Sequence, residues 1–146
     1  MTRRILHASD FSASSNAGFK KAIEMAKASR AELLIVHVIN PIIPVAGEGY
    51  VSPKMYDDLS ASTRAWAQKQ LDRLLAKAKK SGVRAKGVLA EGAAHQQIAR
   101  IAKTKRADLV VMGTHGRSGF AKLFLGSVAG RVVTAAPCPV LTVKGR

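Results

Sequence analysis

Cysteine is nearly absent from this chain of 146 residues: Cys138 stands alone. That excludes an internal disulfide and any cysteine-based metal cluster. Acidic residues are scarce too. Nine Asp and Glu face 24 Lys and Arg, a formal net charge of +15 with the histidines neutral. Such a balance invites polyanions (nucleotides, nucleic acids, anionic membranes), or else it is a solvated basic surface. Aromatics make up 5% of the chain, and few aromatics means few platforms on which unpaired bases could stack. No apolar run approaches the ~20 residues of a membrane span. The opening "MTRRILHASD" is positively charged but has no signal-peptide core, because an aspartate arrives at position 10. These absences predict a soluble, cytoplasmic protein.

What is present is a globular composition, 47% hydrophobic, at the length of one domain spanning residues 1–146. A chain of this size buries roughly 70% of its unfolded surface. "RILHAS" reads as a first strand ending at Asp10. From Ser14 to Ser29, Phe19, Ala22, Ile23 and Ala26 mark one helical face. "ELLIVHVI" is a continuous apolar strand of the parallel, doubly covered kind. "NPIIPVAGEGYVSP" is a long loop. Between about Lys54 and Lys80 the pattern predicts a long helix with Leu59, Trp66, Leu74 and Ala78 inward and Gly82 as its stop. "VRAKGVLA" alternates apolar and basic residues, as an edge strand with one wet face would. A helix around Ile98, Ile101 and Ala102, the strand "ADLVVMG", a helix from Ser127 to about Ala135 using Val128, Val132 and Val133, and the strand "PVLTVK" complete the chain. Strand and helix alternate throughout. The fold class is therefore α/β, a five-stranded parallel doubly wound sheet with helices on both faces. Ligands of such sheets bind outside the carboxyl ends of the strands, which directs attention to Asp10, His37 to Asn40, and everything after Met112.

The stretch "GTHGRSGFAKLFLGS", residues 113 to 127, begins where the fourth strand ends and finishes on the first turn of a helix. Gly113, Gly116 and Gly119 would allow positive φ and close approach of a ligand. Gly126 and Ser127 stand where the free N–H groups of a helix N-terminus point outward and favour a phosphate. Arg117 or Lys122 could neutralise its charge. In the opposing reading the glycines merely permit a tight connection and Ser127 is an ordinary N-cap. Four glycines with a serine at the helix start favour the anion cradle. No Gly-Lys-Ser/Thr ending is present, so this is not a Walker loop, and "SDFSASS" after the first strand is no dinucleotide fingerprint.

The spacing Gly113-x2-Gly116-x9-Gly126-Ser127 resembles the nucleotide-binding signature of the universal stress protein family. "VVMGTHGRSG", "PCPVLTV", "ASDFSASS" and "LLIVHVI" resemble that family as well, so the likeness spans the chain. It implies a strand order of 3-2-1-4-5, a homodimer, and ATP binding with Mg²⁺. In that likeness the amides of Gly113, Gly116 and Gly126, with Arg117 nearby, would wrap the triphosphate. Ser127 and the amide of Val128 would hold phosphate oxygens, Asp10 would sit near ribose and metal, and the Val38 backbone would read the adenine edge. Gly130 departs from the acidic or amide residue common at that place.

Other candidates carry less. His7 and His37 lie in buried strands without the three or four convergent ligands of a metal site. His115 could touch phosphate or face solvent. Cys138, between two prolines, reads as a packed side chain. Lys69, Arg73 and Lys77 form a basic stripe on the long helix. No base for activating water stands out, so a nucleotide-controlled binding module leads over a slow ATPase or phosphoryl-transfer enzyme. A basic adaptor for nucleic acid or an acidic partner is the third reading. "PVLTVK", at a sheet edge, is where a dimer would form, and the loop from about Asn40 to Ser52 is expected to act as a nucleotide-responsive lid.

Overall fold

Alternating strands and helices fold into three layers in the computed structural model, which describes residues 2–41, 51–115 and 125–145. In chain order the elements are β1 (Arg4–Ala8), α1 (Ala13–Ser29), β2 (Glu32–Ile39), α2 (Pro53–Lys80), β3 (Ala85–Glu91), α3 (Ala94–Thr104), β4 (Leu109–Gly113), α4 (Ser127–Ala135) and β5 (Val140–Val143). Every strand pairing is parallel, and the sheet order is β3-β2-β1-β4-β5. The order implied by the family resemblance is the one found.

The sheet buries both faces at its centre, which is why β1, β2 and β4 read as unbroken aliphatic runs. On one face Leu6, Val36 and Val110 meet Ile98 and Ile101 of α3 and Ala129 and Val132 of α4. On the other, Ile5, Leu33, Ile35 and Val111 meet Phe19, Ala22 and Ala26 of α1 and Leu71 of α2. β3 lies at one edge and keeps its outward residues wet. Helix starts follow local chemistry. Ser12 caps α1 by accepting the Ser15 N–H at 3.1 Å, and Ser52 caps α2 by accepting the Met55 N–H at 3.1 Å.

Two inward-face expectations fail. Leu59 and Trp66 of α2 are 52% and 45% exposed, and the buried residues there are Ala67, Leu71 and Ala78. For Leu59 the reason is length. α2 has 28 residues, about 42 Å at 1.5 Å each, whereas β3 has 7 residues, about 23 Å at 3.3 Å each. Arg64 pairs with Glu91, the last residue of β3, at 3.1 Å, so the helix before Arg64, Leu59 included, overhangs the sheet; Trp66 lies after that point, beside the buried Ala67, and is turned off the core. In α4, Val128 and Val133 are exposed while Ala129 and Val132 are buried, because the face turned to the core is the i, i+3 pair Ala129 and Val132. Most of the expected lid, residues 42–50, lies outside the described residues, as do Gly116, Arg117, Gly119 and Lys122. Among the described residues no helix is long and apolar enough to cross a membrane.

Candidate functional site

β1 and β4 lie side by side at the centre of the sheet, and their following connections leave in opposite directions, to β2 and to β5. That reversal opens a crevice at the carboxyl ends of the two strands. A cavity of about 250 Å³ occupies it. Asp10, Val38, Gly113, Gly126, Ser127 and Val128 all line it. Every expected site residue that the structure describes is therefore on one cavity, which is a little smaller than the ~300–1,000 Å³ typical of ligand clefts.

The floor is the upper end of the core between the sheet and the α3–α4 layer. Ala8, Val36, Ile98, Met112 and Ala129 form it, a surface suited to a flat apolar ring. The rim is polar. Asp10 follows β1 directly, and its Oδ1 accepts the Ser12 N–H at 2.9 Å and the Ser15 hydroxyl at 2.5 Å. The start of α1 thus holds the carboxylate over the crevice. Opposite it, α4 begins. Its N-cap is Gly126, one residue earlier than the Ser127 cap of the alternative sequence reading, and Ser127 is the first helical residue. A glycine cap has no side-chain oxygen to accept the first-turn N–H groups, so the positive end of α4 faces the cavity without a cap.

The glycines do a different job from the one expected of them. Neither Gly113 nor Gly126 has a positive φ. A Cβ on Gly113 would stand 2.8 Å from the Ser14 carbonyl oxygen, and one on Gly126 would stand 2.8 Å from that of Thr114. Both therefore permit backbone to approach backbone. The Gly126 N–H donates to the Thr114 carbonyl at 2.7 Å, and the Thr114 N–H donates to that of Val143 at 3.0 Å. These bonds fasten the start of α4 to the ends of β4 and β5.

Histidines divide by depth. His7 is fully buried beneath α1, beside Phe19, and its Nδ1–H donates to the Val111 carbonyl at 2.9 Å. Burial lowers its pKa to about 4, against the smaller opposing effects of that hydrogen bond and of Asp10. It is a neutral core histidine. His37, grouped with it from sequence, is instead half-buried and lines the cavity. Its Nδ1–H donates to the Ser9 carbonyl at 2.7 Å, and its ring stacks on Phe11 with centroids 4.2 Å apart. Phe11 adopts φ of 66°, a left-handed conformation that is rare for a bulky residue and clusters at functional sites. Phe11 also meets Trp66 edge-on at 5.6 Å, which gives the exposed Trp66 ring a partner outside the core. The only sequence signal for this stack was an aromatic residue placed directly after the strand-end aspartate. His115 lines the cavity as well, with Nδ1 3.0 Å from the Thr114 hydroxyl. Among the described residues no group of three or more His, Cys, Asp or Glu could hold a metal ion by itself. Cys138 packs against the α3–α4 core, and burial raises its thiol pKa, so the thiol stays protonated.

Residues 1–144 match the model of the universal stress protein family. The chain is 35% identical over 127 residues to universal stress protein MJ0531 of Methanocaldococcus jannaschii, covering 86% of this chain and 72% of that one. Its fold is similar to the solved structure of MJ0577, a universal stress protein of the same organism. The TM-score is 0.86 at 25% identity, covering 100% and 98% of the two chains. A universal stress protein solved in complex with cAMP superposes with a TM-score of 0.73 at 25% identity, covering 99% and 98%.

Proposed function

The chain belongs to the universal stress protein family, and from that premise we propose that it is a nucleotide-binding regulatory module whose ligand is ATP with Mg²⁺. One observation carries the reading. An uncapped helix N-terminus, an oriented carboxylate and an apolar floor meet on one cavity at the strand reversal. The binding of cAMP by a relative of the same fold supports a nucleotide there. The apolar floor takes the base, with the Val38 backbone at its edge. Ser127 and the amides at the start of α4 take phosphate oxygens. Gly116 and Arg117, outside the described residues, complete the phosphate wall by sequence position.

Mg²⁺ fits this donor set, since it is commonly held by one or two carboxylates together with substrate phosphates. Asp10 supplies the carboxylate, and the ion would neutralise phosphate charge. Hydrolysis is slow in this reading: Asp10 is committed to the ion and, through the two hydrogen bonds its Oδ1 accepts, to the start of α1, which leaves it a poor base for activating water. The module works as a homodimer joined through β5, which ends the sheet opposite β3 and is half-exposed along its length.

Ser127→Glu tests the site by calorimetric titration with ATP and Mg²⁺. Ser127 is exposed in the first turn of α4, where a carboxylate suits the helix dipole but repels phosphate. Binding should weaken at least about 30-fold, roughly 2 kcal/mol, with the melting temperature unchanged or raised. Equal affinity for ATP in variant and wild type would remove the proposal.

A further inference from the structure

The charge of +15 is not spread evenly. Because the strands are parallel and each connecting helix runs back against them, α1, α2 and α3 all end at the amino ends of the strands, the pole opposite the cavity. Each ends in cations. Lys27 and Arg30 close α1, Lys79 and Lys80 close α2, and Lys105 and Arg106 follow α3, all of them exposed. Side-chain bonds draw these ends together. The Arg84 guanidinium, at the approach to β3, donates to the Arg30 carbonyl at 3.4 Å. Arg4, which opens β1, donates to the Lys105 carbonyl.

Helix dipoles do not account for this many cations. Each helix C-terminus carries about −0.5 of a charge, so three ends call for one or two cations. The carboxylates of this pole are already engaged. Glu32 pairs with Arg4 at 3.1 Å and lies 3.7 Å from Lys86. Asp108 accepts the N–H groups of Arg3 and Arg4 at 2.8 and 2.9 Å, which lowers its pKa. Within the pole runs an open groove of about 470 Å³ lined by Lys79, Gly82, Val83, Arg84 and Ala85. Among the described residues nothing stands within 4 Å of where a Cβ of Gly82 would be.

We propose that this basic pole, the ends of α1, α2 and α3 with the α2–β3 groove, binds the phosphate backbone of double-stranded nucleic acid without sequence preference. The partner is chosen by what the surface lacks. No aromatic residue occurs in the segments that form it, so unpaired bases have nothing to stack on. The exposed large hydrophobics identified among the described residues, from Val51 to Val133, lie in other segments. An anionic bilayer would therefore find no apolar side chains to insert. Charge without apolar or aromatic anchors suits a surface of phosphates.

The pole spans α1 and α2 on one face of the sheet and α3 on the other. Layers about 10 Å apart make it about 20 Å across. Duplex DNA presents one charge per ~1.7 Å of axis, and with less than half of those phosphates facing the protein, about four to six are contacted. The logarithm of the binding constant should then fall with the logarithm of salt concentration at a slope of about −4 to −5.

The test is fluorescence anisotropy of a labelled mixed-sequence DNA duplex of about 20 base pairs. The full chain is compared with two folded variants of equal net charge, checked by circular dichroism. Lys79→Glu/Lys80→Glu/Lys105→Glu reverses the pole. Lys20→Glu/Lys54→Glu/Lys69→Glu reverses exposed lysines elsewhere. Duplex binding with the stated slope should weaken at least about 30-fold in the pole variant and under about 5-fold in the other. At matched Mg²⁺ and ionic strength, ATP just sufficient to saturate the cavity should leave it unchanged, since the cavity is at the opposite pole. An equal loss in both variants, or a slope flatter than −2, would overturn the proposal. So would competition by ATP at that concentration, or tighter binding to single strands, phosphatidylserine vesicles or poly-glutamate than to the duplex.

Discussion

Replacing Gly113 with alanine should cost stability through backbone contact, and the structure sets its size. The added Cβ would lie 2.8 Å from the carbonyl oxygen and 3.1 Å from the carbonyl carbon of Ser14. Both atoms are backbone in the first turn of α1, and on the other side Gly113 is held in β4 by its pairing with Val143. Gly18 restricts relief further. A Cβ there would already meet the Gly113 nitrogen at 2.9 Å, so α1 and β4 are at their closest approach along this line. Forcing one methyl into such a contact costs about 1–3 kcal/mol. For a chain of this size each kcal/mol moves the melting temperature by about 2–4 °C. Gly113→Ala should therefore melt about 2–12 °C below wild type. Gly130→Ala is the matched control, because among the described residues the nearest atom outside the helix backbone to its new Cβ is Leu125 Cδ2, at 3.8 Å. Within α4 that change should stabilise by about 0.5–1 kcal/mol. Thermal unfolding followed by circular dichroism separates the two. If Gly113→Ala melts within a degree of wild type, the close approach of α1 to β4 is not a constraint, and the glycine must be explained by ligand access after all.

Other expectations follow from the same contacts. The pKa of His7 is about 4 folded and about 6.5 unfolded, so the unfolded chain binds the extra proton between those values. Stability should then fall by about 2 kcal/mol from pH 7 to pH 5. His7→Asn keeps an N–H for the Val111 carbonyl and cannot titrate, so urea unfolding of this variant should lack that part of the pH dependence; an unchanged dependence would assign it elsewhere. Sedimentation should give a dimer at micromolar concentration, and Leu141→Pro in β5 should shift it toward monomer; a monomeric wild type would remove the proposed interface. Because Phe11 touches both His37 and Trp66, ATP should change the fluorescence of this sole tryptophan, and Phe11→Leu should abolish the response while binding continues.

The sheet was legible because its signals are local. Unbroken aliphatic runs at Ile5, Leu33 to Val36 and Val110 mark strands covered on both faces, and apolar spacing at Phe19, Ala22 and Ala26 marks a helix with one dry side. Strand order was not local: it came with the family resemblance. The cavity residues were legible through the strand-end aspartate and the glycine-rich connection. What sequence could not show was direction and distance. Gly113 and Gly126 were marked as glycines that something approaches closely, but only coordinates reveal that the approaching atoms are the carbonyls of Ser14 and Thr114. Leu59 fits the helical period and is exposed because α2 outruns the sheet, a comparison between elements far apart in sequence; Trp66 fits it too but packs on Phe11 rather than in the core. His37 sits in an apolar run yet reaches the cavity, because β2 passes the end of β1 there.

The central claim is that nucleotide binds at the carboxyl ends of β1 and β4, and a +15 chain offers an ATP anion a competing basic pole. Amide chemical-shift mapping during titration with ATP and Mg²⁺ discriminates between the two in one experiment. Binding at the strand ends should give saturating shifts at Asp10, Val38, Gly113, Ser127 and Val128, with Arg84, Lys105 and Arg106 unmoved. Shifts concentrated at Arg84, Lys105 and Arg106, with the amides around Ser127 unmoved, would contradict it.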